Sequence, residues 1–229
     1  MQRRLRLIGV FAVAGLFIGL PDRLQASTIL ITSAAGIAND GLLDWGALGP
    51  SGTVVSNPFT TPIPGLGFDV TVSQNTSNFQ RLDQGTGEEL LWTGGQNGPM
   101  EFLFDAAIDG FGTQIQVVYS GPFTATISAY DAANNSLGTW SELGDSTSFP
   151  NDDLAIFIGI LSDTLDIRRV ELSVLPTAGL QPENFAVNNP RIQGTTAVPE
   201  PVSMLLIGAG LLGVGIRRRA LVRHPVPPK

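Results

Sequence analysis

The chain has 229 residues, 20 acidic and 13 basic, no cysteine and a formal net charge of −7. Its one histidine, His224, and its one lysine, Lys229, both lie at the C-terminal end. Residues 27–197 therefore hold 18 acids against only Arg81, Arg168, Arg169 and Arg191, a local net charge of −14. That stretch can build no Ser-His-Asp triad, Cys-His pair, Schiff-base lysine or histidine zinc site. Its field repels nucleic-acid phosphates. With no disulfide available, its stability rests on packing or bound ions.

Residues 1–26 read as a signal peptide. Arg3, Arg4 and Arg6 form a basic start, 7–20 is a 14-residue apolar core, and Leu24-Gln25-Ala26 offers a cleavage site before Ser27. The neighbours of Arg3-Arg4 do not complete a twin-arginine signal, so an ordinary secretory route is expected. Residues 27–197 then form one exported domain, 171 residues long and large enough for a single core. Its 27–65 opening is rich in Gly and Pro and predicts one or two edge strands.

Beyond that opening, apolar and polar residues alternate. Phe68, Val70 and Val72 alternate with Asp69, Thr71 and Ser73. Phe102 and Phe104 mark another strand, Ile115 and Val117 a further one. Phe123, Ala125, Ile127 and Ala129 alternate with Thr124, Thr126, Ser128 and Tyr130. Val170, Leu172 and Val174 do so with Arg169, Glu171 and Ser173. A period of two means half-buried strands. The Asn-rich turn at 131–136 joins 123–130 to 137–142 as a hairpin. The apolar run 154–161 predicts a strand buried on both faces. No long helical period occurs between 27 and 197. The expected class is mainly β, a jelly-roll-like β-sandwich.

The C-terminal stretch has a different order. A short linker, 195–197, precedes Val198-Pro199-Glu200-Pro201. Residues 202–216 carry no charge over 15 positions, and Arg217, Arg218 and Arg219 follow. A helix of that length spans about 22 Å, short of the ~30 Å hydrocarbon core, and local thinning with snorkelling arginines meets the deficit. Basic residues flank both apolar segments, which places 27–197 outside the inner membrane and the 220–229 tail in the cytoplasm. Gly208-Ala209-Gly210-Leu211-Leu212-Gly213 fits the dinucleotide pattern G-x-G-x-x-G. It lacks the preceding strand that the pattern requires, and small residues in a membrane helix explain it.

A Pro-Glu-Pro box, a short Gly/Leu-rich helix and an arginine cluster, in this order over 198–219, resemble the PEP-CTERM sorting signal of Gram-negative bacteria. The resemblance implies recognition by an exosortase, a membrane protease-transpeptidase, and delivery to the cell surface or extracellular matrix. It makes Val198, Pro199, Glu200, Pro201 and Arg217–Arg219 the sorting residues. The stretch 101–192, with Gly121-Pro122-Phe123, Ala129-Tyr130-Asp131 and Asn184-Phe185-Ala186-Val187-Asn188, resembles a β-rich ectodomain common among such proteins. That resemblance implies a sandwich like those of carbohydrate-binding modules.

Within the exported domain the remaining chemistry uses carboxylates and aromatics. Glycoside hydrolysis needs two carboxyl groups about 5–9.5 Å apart, with Glu101, Asp105 and Asp109 as candidates. Calcium needs six to eight oxygens. Asp145, Asp152 and Asp153 crowd one loop and Asp163 and Asp166 another, without EF-hand spacing. Sugar binding uses aromatic platforms, for which Trp92, Trp45 and Trp140 are the candidates. Trp92 is expected in a loop beside Gln96 and Asn97. The resulting expectation is a non-enzymatic surface or matrix protein with no cofactor other than a possible calcium ion. The alternatives are a carbohydrate-binding module acting on exopolysaccharide and a carboxylate-dependent glycoside hydrolase.

Overall fold

A computed structural model describes residues 27–194 apart from 76, 85–86, 97, 148–153 and 177–183. The expected signal peptide 1–26, the sorting residues 198–219 with helix 202–216, and Asp152 and Asp153 lie outside the described residues. Among those described, no helix is long and apolar enough to cross a membrane. The strands are β1 (Thr28–Ile31), β2 (Gly41–Leu42), β3 (Val54–Val55), β4 (Phe59–Pro62), β5 (Asp69–Gln74), β6 (Phe79–Gln84), β7 (Glu88–Trp92) and β8 (Met100–Ile108). They continue with β9 (Gly110–Val117), β10 (Gly121–Tyr130), β11 (Ser136–Ser146), β12 (Ile156–Ser162), β13 (Ile167–Pro176), β14 (Phe185–Asn188) and β15 (Arg191–Gln193).

They form two antiparallel sheets packed face to face. One sheet runs β1-β12-β9-β14-β7-β6-β3, with β15 and β2 alongside; the other runs β11-β10-β13-β8-β5-β4. The chain crosses between sheets at Asp109, which alone separates β8 from β9. Both strands therefore aim rings into the same core. Phe111 of β9 lies 4.8 Å from Phe102 and 6.1 Å from Phe104 of β8, centroid to centroid. The alternation read from the sequence sets which side chains enter that core. Val70, Val72, Phe123, Ala125, Ile127, Ala129, Val170, Leu172 and Val174 are fully buried. At about 25 cal/mol per Å² of apolar area, such burial is the main stabilising term.

The predicted hairpin is β10–β11. Asp131 shapes its turn by accepting from the backbone N–H groups of Ala133 and Asn135, at 2.9 and 2.8 Å. Asn134 takes the left-handed conformation there, φ 65°, which Asn tolerates better than most residues.

Three expectations need correction. The run 154–161 is buried only at its centre, Ile158–Ile160. Leu154 is exposed and Phe157 half-buried, because β12 presents its outer face to solvent at that end. The 27–65 opening supplies four short strands rather than one or two. Three of them, β1, β3 and β4, are edge strands, as expected: β1 and β3 end the first sheet and β4 ends the second. Strands β6 and β7 break the apolar alternation, and β14 and β15, at four and three residues, are too short to mark in it.

Candidate functional site

The outer face of the first sheet carries a groove of about 150 Å³. Strand register builds it in rows. Trp92 of β7 sits opposite Ala186 of β14, which sits opposite Gln116 of β9. In the next row Leu82 of β6, Leu90 of β7 and Asn188 of β14 are neighbours. Gln114 completes that row with a side-chain hydrogen bond from Asn188, Nδ2 to Oε1 at 3.1 Å. Glu88 and Gln84 line one end, and Val118 and Ala155 the other. Tyr119, next to Val118, is the one exposed aromatic among the described residues, at 54%.

Trp92 is half-buried in this groove. It ends strand β7, a correction to its expected loop setting. Its indole N–H is covered and has no acceptor, so what the ring offers to the groove is carbon. The amides that line the groove beside it, on Gln114, Gln116 and Asn188, come from distant strands; Asn97 lies outside the described residues.

The other two tryptophans serve the core instead. Trp45 is fully buried and meets Phe59 edge-on at 6.4 Å, which removes it as a ligand platform. Trp140 lies opposite Ile127, on the core-facing side of edge strand β11. Its ring fills the space beside Gly138, where a Cβ would come 1.9 Å from the indole Cη2.

A polar knot fixes the strands that line the groove. Asn189 and Pro190 interrupt β14 and β15, which otherwise follow one another along β9. Asn189 accepts from the Trp45 backbone N–H at 3.0 Å and donates to Glu89 Oε2 at 3.3 Å. The Gly46 N–H donates to Asp44 Oδ1 and to Glu89 Oε2, both at 2.9 Å. Arg81, almost fully buried, pairs with Glu89 at 3.2 Å and also with Asp83. Asp44 and Glu89 thus meet at the Gly46 N–H. The hydrogen bond to Glu89, with burial, raises the Asp44 pKa above the ordinary range. The same hydrogen bond lowers that of Glu89, helped by Asn189, the Gly46 N–H and the Arg81 charge.

The candidate acids scatter. Glu101 lies on the opposite sheet, where Arg169 bonds it at 3.0 Å, bonds Glu171 and sits 3.8 Å over the Tyr130 ring. Asp105 is exposed on that same strand, β8. Asp145 is an exposed residue of strand β11, a correction to its expected loop position. Asp163 and Asp166 do occupy the turn after β12, but each already accepts a hydrogen bond. Asp163 accepts from the Ser27 N–H at 3.0 Å and Asp166 from the Ser162 hydroxyl at 2.8 Å. Among the described residues no three His, Cys, Asp or Glu side chains converge to hold a metal.

Both ends of the described chain leave from one end of the first sheet. Asp163 N–H donates to Ser27 O at 3.1 Å, Ser162 N–H to Asp109 O at 2.7 Å, and Asp109 N–H to Gln193 O at 3.1 Å. These links cross β1, β12, β9 and β15 in turn. Three inter-strand spacings put the two ends about 14 Å apart.

Four residues beyond Gln193, residues 197–219 match the family model of the PEP-CTERM protein-sorting motif. The chain carries this sorting motif. A PEP-CTERM motif implies processing by an exosortase, and so an exported protein handled at the membrane and then at the cell surface. No curated protein matches the chain. Among solved structures, a DUF4465 family protein from Bacteroides caccae ATCC 43185 is similar at 12% identity. That similarity covers 72% of this chain and 99% of the other, with a TM-score of 0.43.

Proposed function

We propose that this is an exported, non-enzymatic protein of the cell surface or extracellular matrix. Its jelly-roll-like sandwich stands in the periplasm as a precursor, tethered by helix 202–216, until an exosortase processes it. It works without a resident cofactor and without nucleic acid. The observation that carries this reading is the PEP-CTERM motif joined to the fold four residues after the last strand. The adjacent chain ends support it, since a signal peptide and a C-terminal helix in one membrane require both ends to face that membrane.

The chemistry of the box gives the test. Pro201 biases Glu200 away from the helical region, so the helix cannot grow back through the box and the backbone stays open to an enzyme. On the expected helix 202–216 the carboxylate would stand at the positive end, where an anion is favoured by about 0.3–1 kcal/mol. Arg217–Arg219 set the depth at which it is presented. Glu200→Ala, or deletion of the three arginines, is expected to leave export intact and make precursor accumulate at the inner membrane. Normal processing of both variants in a host with an active exosortase refutes the reading.

A second reading, glycan binding, is favoured over hydrolysis by the composition of the groove. Among the described residues its lining includes a tryptophan and four side-chain amides but a single carboxylate, Glu88. Hydrolysis needs a pair. The sugar side of exopolysaccharide is then the partner.

A further inference from the structure

Resting on that second reading, we infer that the groove takes an uncharged polysaccharide chain, laid across β9, β14 and β7, and rejects acidic ones. Three observations carry the ligand class. First, with its N–H covered, Trp92 presents a carbon surface, which suits the C–H face of a sugar ring more than a hydrogen-bonding group. Binding sites typically pair such an apolar wall with a few placed polar groups.

Second, those polar groups are neutral amides. Gln114 uses its Oε1 to hold Asn188. That leaves its own N–H₂ group without an acceptor among the described residues, at an exposed position on β9. Gln114 and Asn188 lie one row from Trp92, which sits opposite Ala186. Two amides and an aromatic surface thus lie within the span of one or two sugar rings. Small Ala186 leaves the floor between Trp92 and Gln116 low.

Third, the charge is wrong for a polyanion. Among the described residues no arginine lines the groove, and Glu88 is the only charged one that does. Arg81 is buried on Glu89 and Asp83, Arg168 and Arg169 both lie on β13 of the other sheet, and Arg191 reaches the Ala34 carbonyl. A polyuronate or phosphorylated chain would enter a −14 field with no cation to meet it. At physiological salt that field is felt within about 8 Å.

The test uses the full chain in a detergent without a sugar headgroup, so that the detergent does not compete. Retention is measured on a neutral β-glucan, on mannan and on alginate, a polyuronate. The expected result is retention on at least one neutral polymer and none on alginate. Trp92→Ala and Gln114→Ala should each weaken it at least tenfold. Gln114 is exposed, so its variant keeps the melting temperature and separates contact from folding. Retention on alginate alone, still dependent on Trp92, overturns the neutral class while leaving the glycan reading in place. No retention on any polymer, or retention untouched by both substitutions, overturns the glycan reading as well.

Discussion

Glu89→Gln is the sharpest probe of the knot that holds β7 against β14. The substitution keeps the shape of the side chain and its acceptor for Gly46 and Asn189, but removes the charge facing Arg81. The Arg81 side chain is only 6% exposed and that of Glu89 27% exposed, so this pair is screened less than a surface one. A charge-assisted hydrogen bond contributes about 1.5–3 kcal/mol and a neutral one about 0.5–1.5. The difference is about 1 kcal/mol, and Arg81 keeps Asp83, so the loss is not larger. For a domain of this size that lowers the melting temperature by about 2–4 °C. The pH dependence makes the test specific. The folded-state pKa of Glu89 is lowered, chiefly by its hydrogen bond with Asp44. Its stabilisation is therefore present above the unfolded pKa and lost as pH falls through the folded one. The gap between wild type and variant should be full at pH 7 and close in acid. Asp44, with its raised pKa, has the opposite sign. That mutual hydrogen bond is present in acid and lost as pH rises, so at pH 7 the contribution of Glu89 rests on Asn189, the Gly46 N–H and the Arg81 charge. Thermal melts followed by circular dichroism at both pH values decide the matter. Equal melting temperatures at pH 7, or a gap that persists unchanged in acid, would refute the reasoning.

Removal of a signal peptide before Ser27 turns its N–H into an ammonium group, so its bond to Asp163 becomes an ion pair. Asp163→Asn is expected to destabilise the processed protein by less than about 1 kcal/mol. In melts taken across the titration, the difference should fade as pH rises past the usual α-amino value of about 8; a constant difference counts against the ion pair. Calcium is expected to leave the melting temperature unchanged relative to chelator, because Asp163 and Asp166 are already engaged. A rise that grows with the logarithm of calcium concentration would show a site there.

How much was legible in the sequence depended on whether side chains obeyed their period. β10 and β13 did, since every inward position from Phe123 to Ala129 and from Val170 to Val174 is apolar. β6 and β7 did not. Arg81 takes a core-facing place opposite Leu91, and β7 opens with Glu88-Glu89. A buried guanidinium held by two carboxylates reads in sequence as a polar loop. The same limit shaped the site. Trp92 could be singled out, but its partners Gln114, Gln116 and Asn188 lie in strands far along the chain. The spacings Gln114-x-Gln116 and Ala186-x-Asn188 place them on one face once the strands are known. Trp45 looked free because only the tertiary fold brings Phe59 and Asn189 over it. The sorting motif was the easiest feature to read, because its order is local and needs no fold.

β15 has a mechanical consequence out of proportion to its three residues. Any protein tied to a surface through its C-terminus takes its tension at Gly194. The pull runs along the strand, not across it. β15 is matched to β9 at Arg191, Ile192 and Gln193, and on its other side to β2 at Arg191 and Ile192. Gly194 N–H is also held by Asp40 at 3.1 Å. These contacts are loaded together, in shear, and cannot be unzipped singly. How long the domain survives under force then depends on its unfolding rate, and the first bonds to yield are those that clamp β15.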